Sequence, residues 1–451
     1  MGTTGDLARY IVETSADQIP EAIIHEGKRC LINFLSVALY SSRDPSLDIL
    51  LDVFQQEGSG RHASVLGSGV RTSLQNAALA NGYLGHLEDY DDTHFPTVIH
   101  PSSPTLPAAL ALGEQLSASG LEVLAASVLG MEACCRIGMA VHPYHYDEGW
   151  HITGTCGVFG SVIAAGRLAG LNTLQMAHGL GTAGTQAAGV REVFGSMTKP
   201  FHPGRSAQSG VLAALLALRG FTSTTTILEG RRGFAAVMSE DSHLERVTDG
   251  LGEHWELTMN GLKPYACGVV NHPLIDAMIA LRDKPGVTPE SVESIRANVH
   301  PLVLELVDRP NPLVGLEGKF SYQHSMAVGL VDGGAFPAQY TDERVKNQII
   351  TELRGRIDAT IDESLVEDAA EVTVTLRDGR AYTKRVEHAT GAPENPMTDR
   401  QLDDKFRALV GNVLSNARVE RLLASLWDLH EVENIAEVVK QMRVTRRHIR
   451  E

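Results

Sequence analysis

The chain of 451 residues lacks any long apolar run of the kind a membrane-crossing helix needs, roughly 18 residues or more. Its first residues, Met1 to Asp6, do not combine a basic stretch with an apolar one, so no secretory signal is expected and a cytoplasmic location is. Positive charge is in deficit. Lys and Arg number 39 against 55 Asp and Glu, giving a formal net charge of −16. That balance disfavours nucleic acid and anionic membranes as partners, because both require a basic surface. The five cysteines, Cys30, Cys134, Cys135, Cys156 and Cys267, form no CxxC pair. A zinc ribbon and a thioredoxin-like motif are therefore excluded, and the five read as reduced, buried thiols.

Other motifs are missing too. Residues 154–160 read GTCGVFG, which lacks the GxGxxG spacing of a dinucleotide fold. Residues 315–320, GLEGKF, have too few positions between the glycines for a P-loop and no Ser or Thr after the lysine. Neither HExxH nor GxSxG occurs, and there is no tandem repeat. A His-rich segment holds His142, His145, Asp147 and His151, but Pro143 interrupts any shared helix face. It reads as a polar loop with aromatic packing, and no metal is expected there.

What the chain has is a dense polar cluster. Asp89, Asp91, Asp92, Thr93 and His94 are followed closely by His100, Ser102 and Ser103. Pro96 and Pro101 prevent one continuous helix, so the segment bends and its side chains can converge on one cavity. Carboxylates and imidazoles in that density suit proton transfer on a small anionic molecule, provided cations come from elsewhere. Lys199 and Lys263, each followed by proline, are the candidates.

Around these segments the apolar spacing predicts helices at residues 21–40, 73–88, 105–116, 122–139, 158–168 and 207–218. Pro20 fits the first turn of the first of these. Small residues recur, as in residues 181–189 (GTAGTQAAG), which lets helices pack closely. After about residue 265 the texture changes. Residues 291–300 read as a strand, and residues 371–376 and 381–386 as a hairpin across Arg377, Asp378 and Gly379. Residues 325–330 and 345–353 look helical. Beyond Pro396 the chain turns helical again, and Thr398 with Gln401 predicts a capping box ahead of an amphipathic 402–439 stretch. The expectation is a mainly α protein, with an all-helical domain at 1–265, a smaller α+β domain at 266–396 and C-terminal helices at 397–451.

Several runs together carry a resemblance: Asn81-Gly82 to His86; Asp89 to Thr93; His100-Pro101-Ser102; Lys199-Pro200 with His202 and Gly204; Lys263-Pro264-Tyr265 with His272-Pro273; Lys319-Phe320-Ser321; and Asp404-Lys405-Phe406. In these motifs, taken in order, the chain resembles the MmgE/PrpD family. The resemblance implies a helical domain completed by the C-terminal helices, with the α+β domain inserted, and a homodimer. It implies a cofactor-independent lyase, a dehydratase or decarboxylase, that moves protons beside a carboxylate of a small di- or tricarboxylic acid such as cis-aconitate or 2-methylcitrate. An isomerase or epimerase on a related dicarboxylate is the alternative within the family, and a catalytically idle binding protein the alternative outside it.

Carried over by motif, the resemblance to the decarboxylase pattern assigns Asp89, Thr93, His100, His151, Lys199 and Lys263 to the site. The family tyrosine that follows a Ser-aromatic-Gln run falls here on His324, after Ser321, Tyr322 and Gln323. The chemistry agrees. Negative charge that builds on a carboxylate is best met by fixed cations, here Lys199 and Lys263. A proton moves best through an imidazole, for which His151, His100 and His324 compete. Asp89 would orient an imidazole or act as base, and Thr93 would bond a substrate oxygen. Tyr265 reads equally as a substrate contact or as packing. Asp91 and Asp92 read as helix caps or solvated groups, and His86 and His94 as surface or packing residues.

Overall fold

A computed structural model describes residues 2–58 and 60–444. The chain forms two compact units. The first contains the segments up to Leu87, Asp91–Asn260 and the chain from Thr398 on; the second contains Glu88–Tyr90 and Gly261–Met397. Among the described residues no helix is long and apolar enough to cross a membrane.

The first unit is helical. Its central helices are Glu21–Ser41, Leu74–His86, Ser102–Leu116, Gly120–Met139, Ile152–Leu168 and Thr198–Leu218. Three of them carry mostly apolar or small residues and are buried along most of their length. Close approach needs glycine. A Cβ on Gly82 would meet the Gly204 Cα at 2.8 Å, and one on Gly130 would meet the Gly160 carbonyl oxygen at 2.6 Å. The Leu74–His86 helix therefore touches the Thr198–Leu218 helix backbone to backbone, and the Gly120–Met139 helix does the same with Ile152–Leu168. Thr398 and Gln401 make the expected capping box, and Asp399–Val410 sets Leu402 and Phe406 into the core beside Glu21–Ser41. Lys405 binds Asn33 Oδ1 at 2.7 Å, which makes it a structural lysine.

The second unit has a four-stranded sheet in the order Ile357–Ile361, Val292–Val299, Ala370–Leu376, Ala381–Val386. The first pair is parallel and the other two antiparallel. Helix His272–Arg282 lies against the last two strands and against helix Tyr322–Asp332. The protein is thus mainly α with a smaller α+β part.

Two local expectations need correcting. Pro20 sits at the N-cap, one position before the helix rather than inside its first turn. Residues 345–353 do not form one helix, because the chain breaks between Asp342–Val345 and Gln348–Arg354, where Asn347 caps the second piece.

Candidate active site

In the helical unit, several helix starts bring polar side chains together. His151 is the N-cap of Ile152–Leu168, Lys199 is the second residue of Thr198–Leu218, and His100 lies two residues before Ser102–Leu116. His100 and the Ile152–Leu168 helix are tied by a bond from the His100 backbone N–H to Thr153 Oγ1 at 3.1 Å. Helix N-termini carry partial positive charge and unsatisfied N–H groups, so this convergence favours an anion. Lys199 adds a full charge. It is buried, with its ammonium 5.1 Å from the centre of the Phe194 ring.

The imidazoles form a continuous group. The His86 ring lies 4.5 Å from that of His100 and 5.8 Å from that of His151, and His151 lies 5.1 Å from His202. His86 Nδ1 donates to Asp91 Oδ2 at 2.8 Å, and Ser103 donates to the same oxygen at 2.6 Å. His100 Nδ1 lies 2.7 Å from the Asp92 carbonyl oxygen. A carbonyl only accepts, so His100 holds a proton on Nδ1. Thr93 Oγ1 stands 3.2 Å from the same Nδ1. Burial first, then His86 and Lys199, pushes His151 well below the ordinary imidazole value. His202 is pushed down to about 4 by burial, then by His86 and Lys199. Both rings are neutral near pH 7.

Asp91 and Asp92 are not solvated caps. Both are fully buried. Pro101 starts a helix whose Ser102 and Ser103 hydroxyls reach back to these carboxylates, and Asn260 Nδ2 also donates to Asp92 at 2.6 Å. Burial, then Asp91, raises Asp92 to about 6. His86 is likewise no surface residue. His94 is packing, held by Thr97 at 2.7 Å and Glu256 at 3.1 Å. In the 142–151 segment, His145 stacks on Trp150 and bonds Thr155, so it belongs to the packing there.

The second unit holds the other predicted residues. Lys263 Nζ donates to Asp89 Oδ1 at 3.0 Å and to the Asp89 carbonyl at 2.9 Å, and both side chains are buried. Asp89 takes a left-handed backbone with φ 51°, a conformation that suits Asp better than most residues. Beside it Lys319 pairs with Glu88 at 2.6 Å, and the Tyr90 hydroxyl donates to the Pro264 carbonyl.

His324 is fully buried. Its Nε2 donates to the Gln339 carbonyl at 2.8 Å, and its Nδ1 lies 3.5 Å from Arg354 Nη1. Burial holds its pKa at about 4. Both ring nitrogens are thus engaged by neighbours in the unit. A phenol is nearby instead, since the Tyr340 ring centre is 5.4 Å from that of His324 and its hydroxyl meets Ser325 at 2.9 Å. The Tyr265 hydroxyl donates to Asp276 at 2.5 Å, which is the packing alternative of its two readings.

Sequence reasoning assigns Asp89, Thr93, His100, His151, Lys199 and Lys263 to one site; the helical unit holds Thr93, His100, His151 and Lys199, and the second unit holds Asp89 with Lys263. That reasoning missed the roles of His86, Asp91 and His202 in the first and of Lys319 and Tyr340 in the second. The His202 and Lys319 motifs were visible; their partners lie 51 and 231 positions away and were not.

All five cysteines are buried and unbridged. Burial raises every thiol pKa, with Cys267 at about 11 and Cys156 at about 12, so none is a ready nucleophile. His86, Asp91 and His100 each place a ligand-type atom within 4.8 Å of the others, as do Asp368, His388 and Glu394 in the second unit. In the first group the Asp91 oxygens already accept from His86 and Ser103.

The buried imidazoles have a consequence for stability. His145 and His324 bind a proton near pH 6.5 when unfolded but only near 4 when folded. The unfolded chain therefore binds more protons in between. Stability is fully present above about pH 6.5 and falls as pH drops towards 4, on the order of 1–3 kcal/mol for each such ring. Asp92 acts with the opposite sign, since its folded value near 6 exceeds its ordinary 3.8. Burial also raises Glu26, Glu132 and Glu367, but the lowered rings, with His94, His142, His151 and His202 joining His145 and His324, outnumber the raised carboxyls. Urea unfolding should give a lower free energy at pH 5 than at pH 7; an equal or higher value at pH 5 would refute the neutral buried rings.

The fold and the site define a mainly helical protein with an inserted α+β part, whose helical unit holds a buried group of imidazoles, carboxylates and a lysine. The comparisons narrow this. The MmgE/PrpD N-terminal domain matches residues 5–247 and the MmgE/PrpD C-terminal domain matches residues 265–429. The chain belongs to the MmgE/PrpD family. It is similar to a cis-aconitate decarboxylase of Aspergillus terreus, 27% identical over 97% of this chain and 96% of that protein. The mouse cis-aconitate decarboxylase is 26% identical over 98% and 93%, and the human one 25% over 96% and 92%.

Proposed function

We propose that this enzyme is a lyase that decarboxylates a small unsaturated tricarboxylic acid of the cis-aconitate type, without a metal or organic cofactor. The carrying observation is the convergence of Lys199, His100 and His151 at helix N-termini, which offers positive charge and exchangeable imidazole protons in one buried cluster. Full-length similarity to decarboxylases supports the same reading.

In this reading the helix ends and Lys199 hold substrate carboxylates. Loss of carbon dioxide leaves an electron pair that spreads towards a neighbouring carboxylate. Fixed positive charge stabilises it, and preorganised charge of this kind is often the largest catalytic term. An imidazole Nε2–H then protonates the carbon. In the second unit, Lys263 held by Asp89 is a cation of the kind that meets a carboxylate. Thr93 bonds a substrate oxygen through its hydroxyl. His324, with its nitrogens bound to Gln339 and Arg354, supports the second unit rather than moving the proton. The working form is a homodimer in the cytoplasm; light scattering at micromolar concentration checks the assembly, and a monomer mass would overturn that part.

Proton NMR in deuterated water, with cis-aconitate, 2-methylcitrate and related dicarboxylates, tests the reaction. The expected result is carbon dioxide release with one deuteron incorporated per product. Dehydration or inversion without carbon dioxide would move the enzyme to another reaction of the family, and no product from any acid would leave an idle binder. Activity should also survive exhaustive chelation. Loss on chelation, restored by a divalent ion, would give the His86, Asp91 and His100 group a ligand role.

A further inference from the structure

His151 and His202 meet through like atoms. Their Nδ1 nitrogens are 2.8 Å apart and both side chains are buried. A hydrogen bond between two such nitrogens holds one proton, so one ring donates and the other accepts. The tautomers of the two rings are therefore locked together.

The position of His202 is built in. It lies in the helix whose second residue is Lys199, and its ring is confined between two glycines. A Cβ on Gly189 would come within 3.0 Å of His202 Nδ1, and one on Gly154 within 3.1 Å of its Cβ. The Gly189 carbonyl also accepts the His151 backbone N–H at 3.0 Å, so one segment holds the backbone of the first ring and packs on the second. His100 shows the matching arrangement on one side, with its Nδ1–H held by the Asp92 carbonyl.

We propose that His202 is a positioning residue that accepts the Nδ1–H of His151, fixing that ring so that its Nε2 is the nitrogen that takes and gives the reacting proton. His202 then carries its own proton on Nε2. When His151 is loaded on Nε2, its Nδ1–H still points at a lone pair, so the imidazolium that forms is stabilised. When Nε2 releases the proton, His151 returns to a neutral ring with the same bond intact. Lys199 and His86 face both rings, His100 also faces His151, and Phe194 packs edge-on against His151. The cationic neighbours oppose loading in the empty site, and a polyanionic substrate supplies the opposing charge. The catalytic part of this rests on the proposed lyase reading; the tautomer does not.

The test has two arms. In histidine 15N-labelled wild-type protein at pH 7.5, two-bond 1H–15N spectra should show His151 protonated on Nδ1 and His202 on Nε2. The reverse assignment overturns the proposal, whether or not any acid is turned over. The second arm compares His202→Asp, which keeps an acceptor, with His202→Leu, which keeps bulk only. Leu should lower kcat by about 10²-fold with KM changed less than about threefold, whereas Asp should retain kcat within about tenfold. Asp should also move the imidazole limb of the pH–rate profile to higher pH, because a carboxylate favours the charged ring. Leu performing as well as Asp would make His202 mere packing. If neither variant folds, the wild-type spectra decide. If wild-type enzyme converts no acid while the spectra read as expected, the lyase reading fails and the tautomer assignment stands.

Discussion

Lys263→Met should lower kcat/KM at least about tenfold, roughly 1.4 kcal/mol of transition-state stabilisation, and should also weaken the fold. The sequence alone suggests a different second half: a solvated lysine contributes little to stability, so its loss would be silent outside catalysis. The structure buries Lys263 against Asp89, with two hydrogen bonds from one ammonium. Breaking a buried pair from one side leaves the other charge poorly compensated, typically at 3–5 kcal/mol. A double variant separates the two effects. Asp89→Asn with Lys263→Met removes both charges, so it should recover much of the stability while remaining slow. Urea unfolding and steady-state kinetics on the three variants give the cycle. Recovery of both stability and turnover would reduce the pair to scaffolding, and near-normal turnover in Lys263→Met would remove the lysine from the reaction.

What was legible in the chain follows from the range of the physics involved. Helix periodicity is local, and the 21–40 expectation lands on Glu21–Ser41. The hairpin is local too, and residues 381–386 coincide with the strand Ala381–Val386. The capping box at Thr398 needs only a four-residue window. The parallel strand Ile357–Ile361 was missed because it is short and largely exposed, and its partner lies about sixty positions upstream.

The site divides in the same way. Clustered residue types announced Asp89, Thr93 and His100, but not where the hydroxyls of Ser102 and Ser103 would turn, so Asp91 and Asp92 looked like solvated groups. His324 occupies a motif position, yet its environment is set by Gln339 and Arg354, which no motif links to it. Residue type and spacing reveal which chemistry is available. Packing decides which members of the set are held for use.

His151→Gln should lower kcat by about 10²-fold or more while KM stays within about threefold. Gln keeps polarity and approximate size, and the ring it replaces is buried at a helix N-cap, so the helix start should survive. What Gln cannot do is exchange a proton near pH 7. The pH–rate profile separates this from a general loss of fit. The wild-type profile should contain an imidazole limb that the variant lacks, whereas a misplaced substrate would raise KM and leave the limb in place. His100→Gln is the control within the same cluster, since its Nδ1–H is likewise held, by the Asp92 carbonyl. A smaller fall in kcat than for His151→Gln is expected there, because the His100 Nδ1–H is held by a backbone carbonyl rather than by the His202 ring. If both variants keep full kcat, imidazole catalysis in this cluster is wrong, and the proton must move through Asp89 or a lysine.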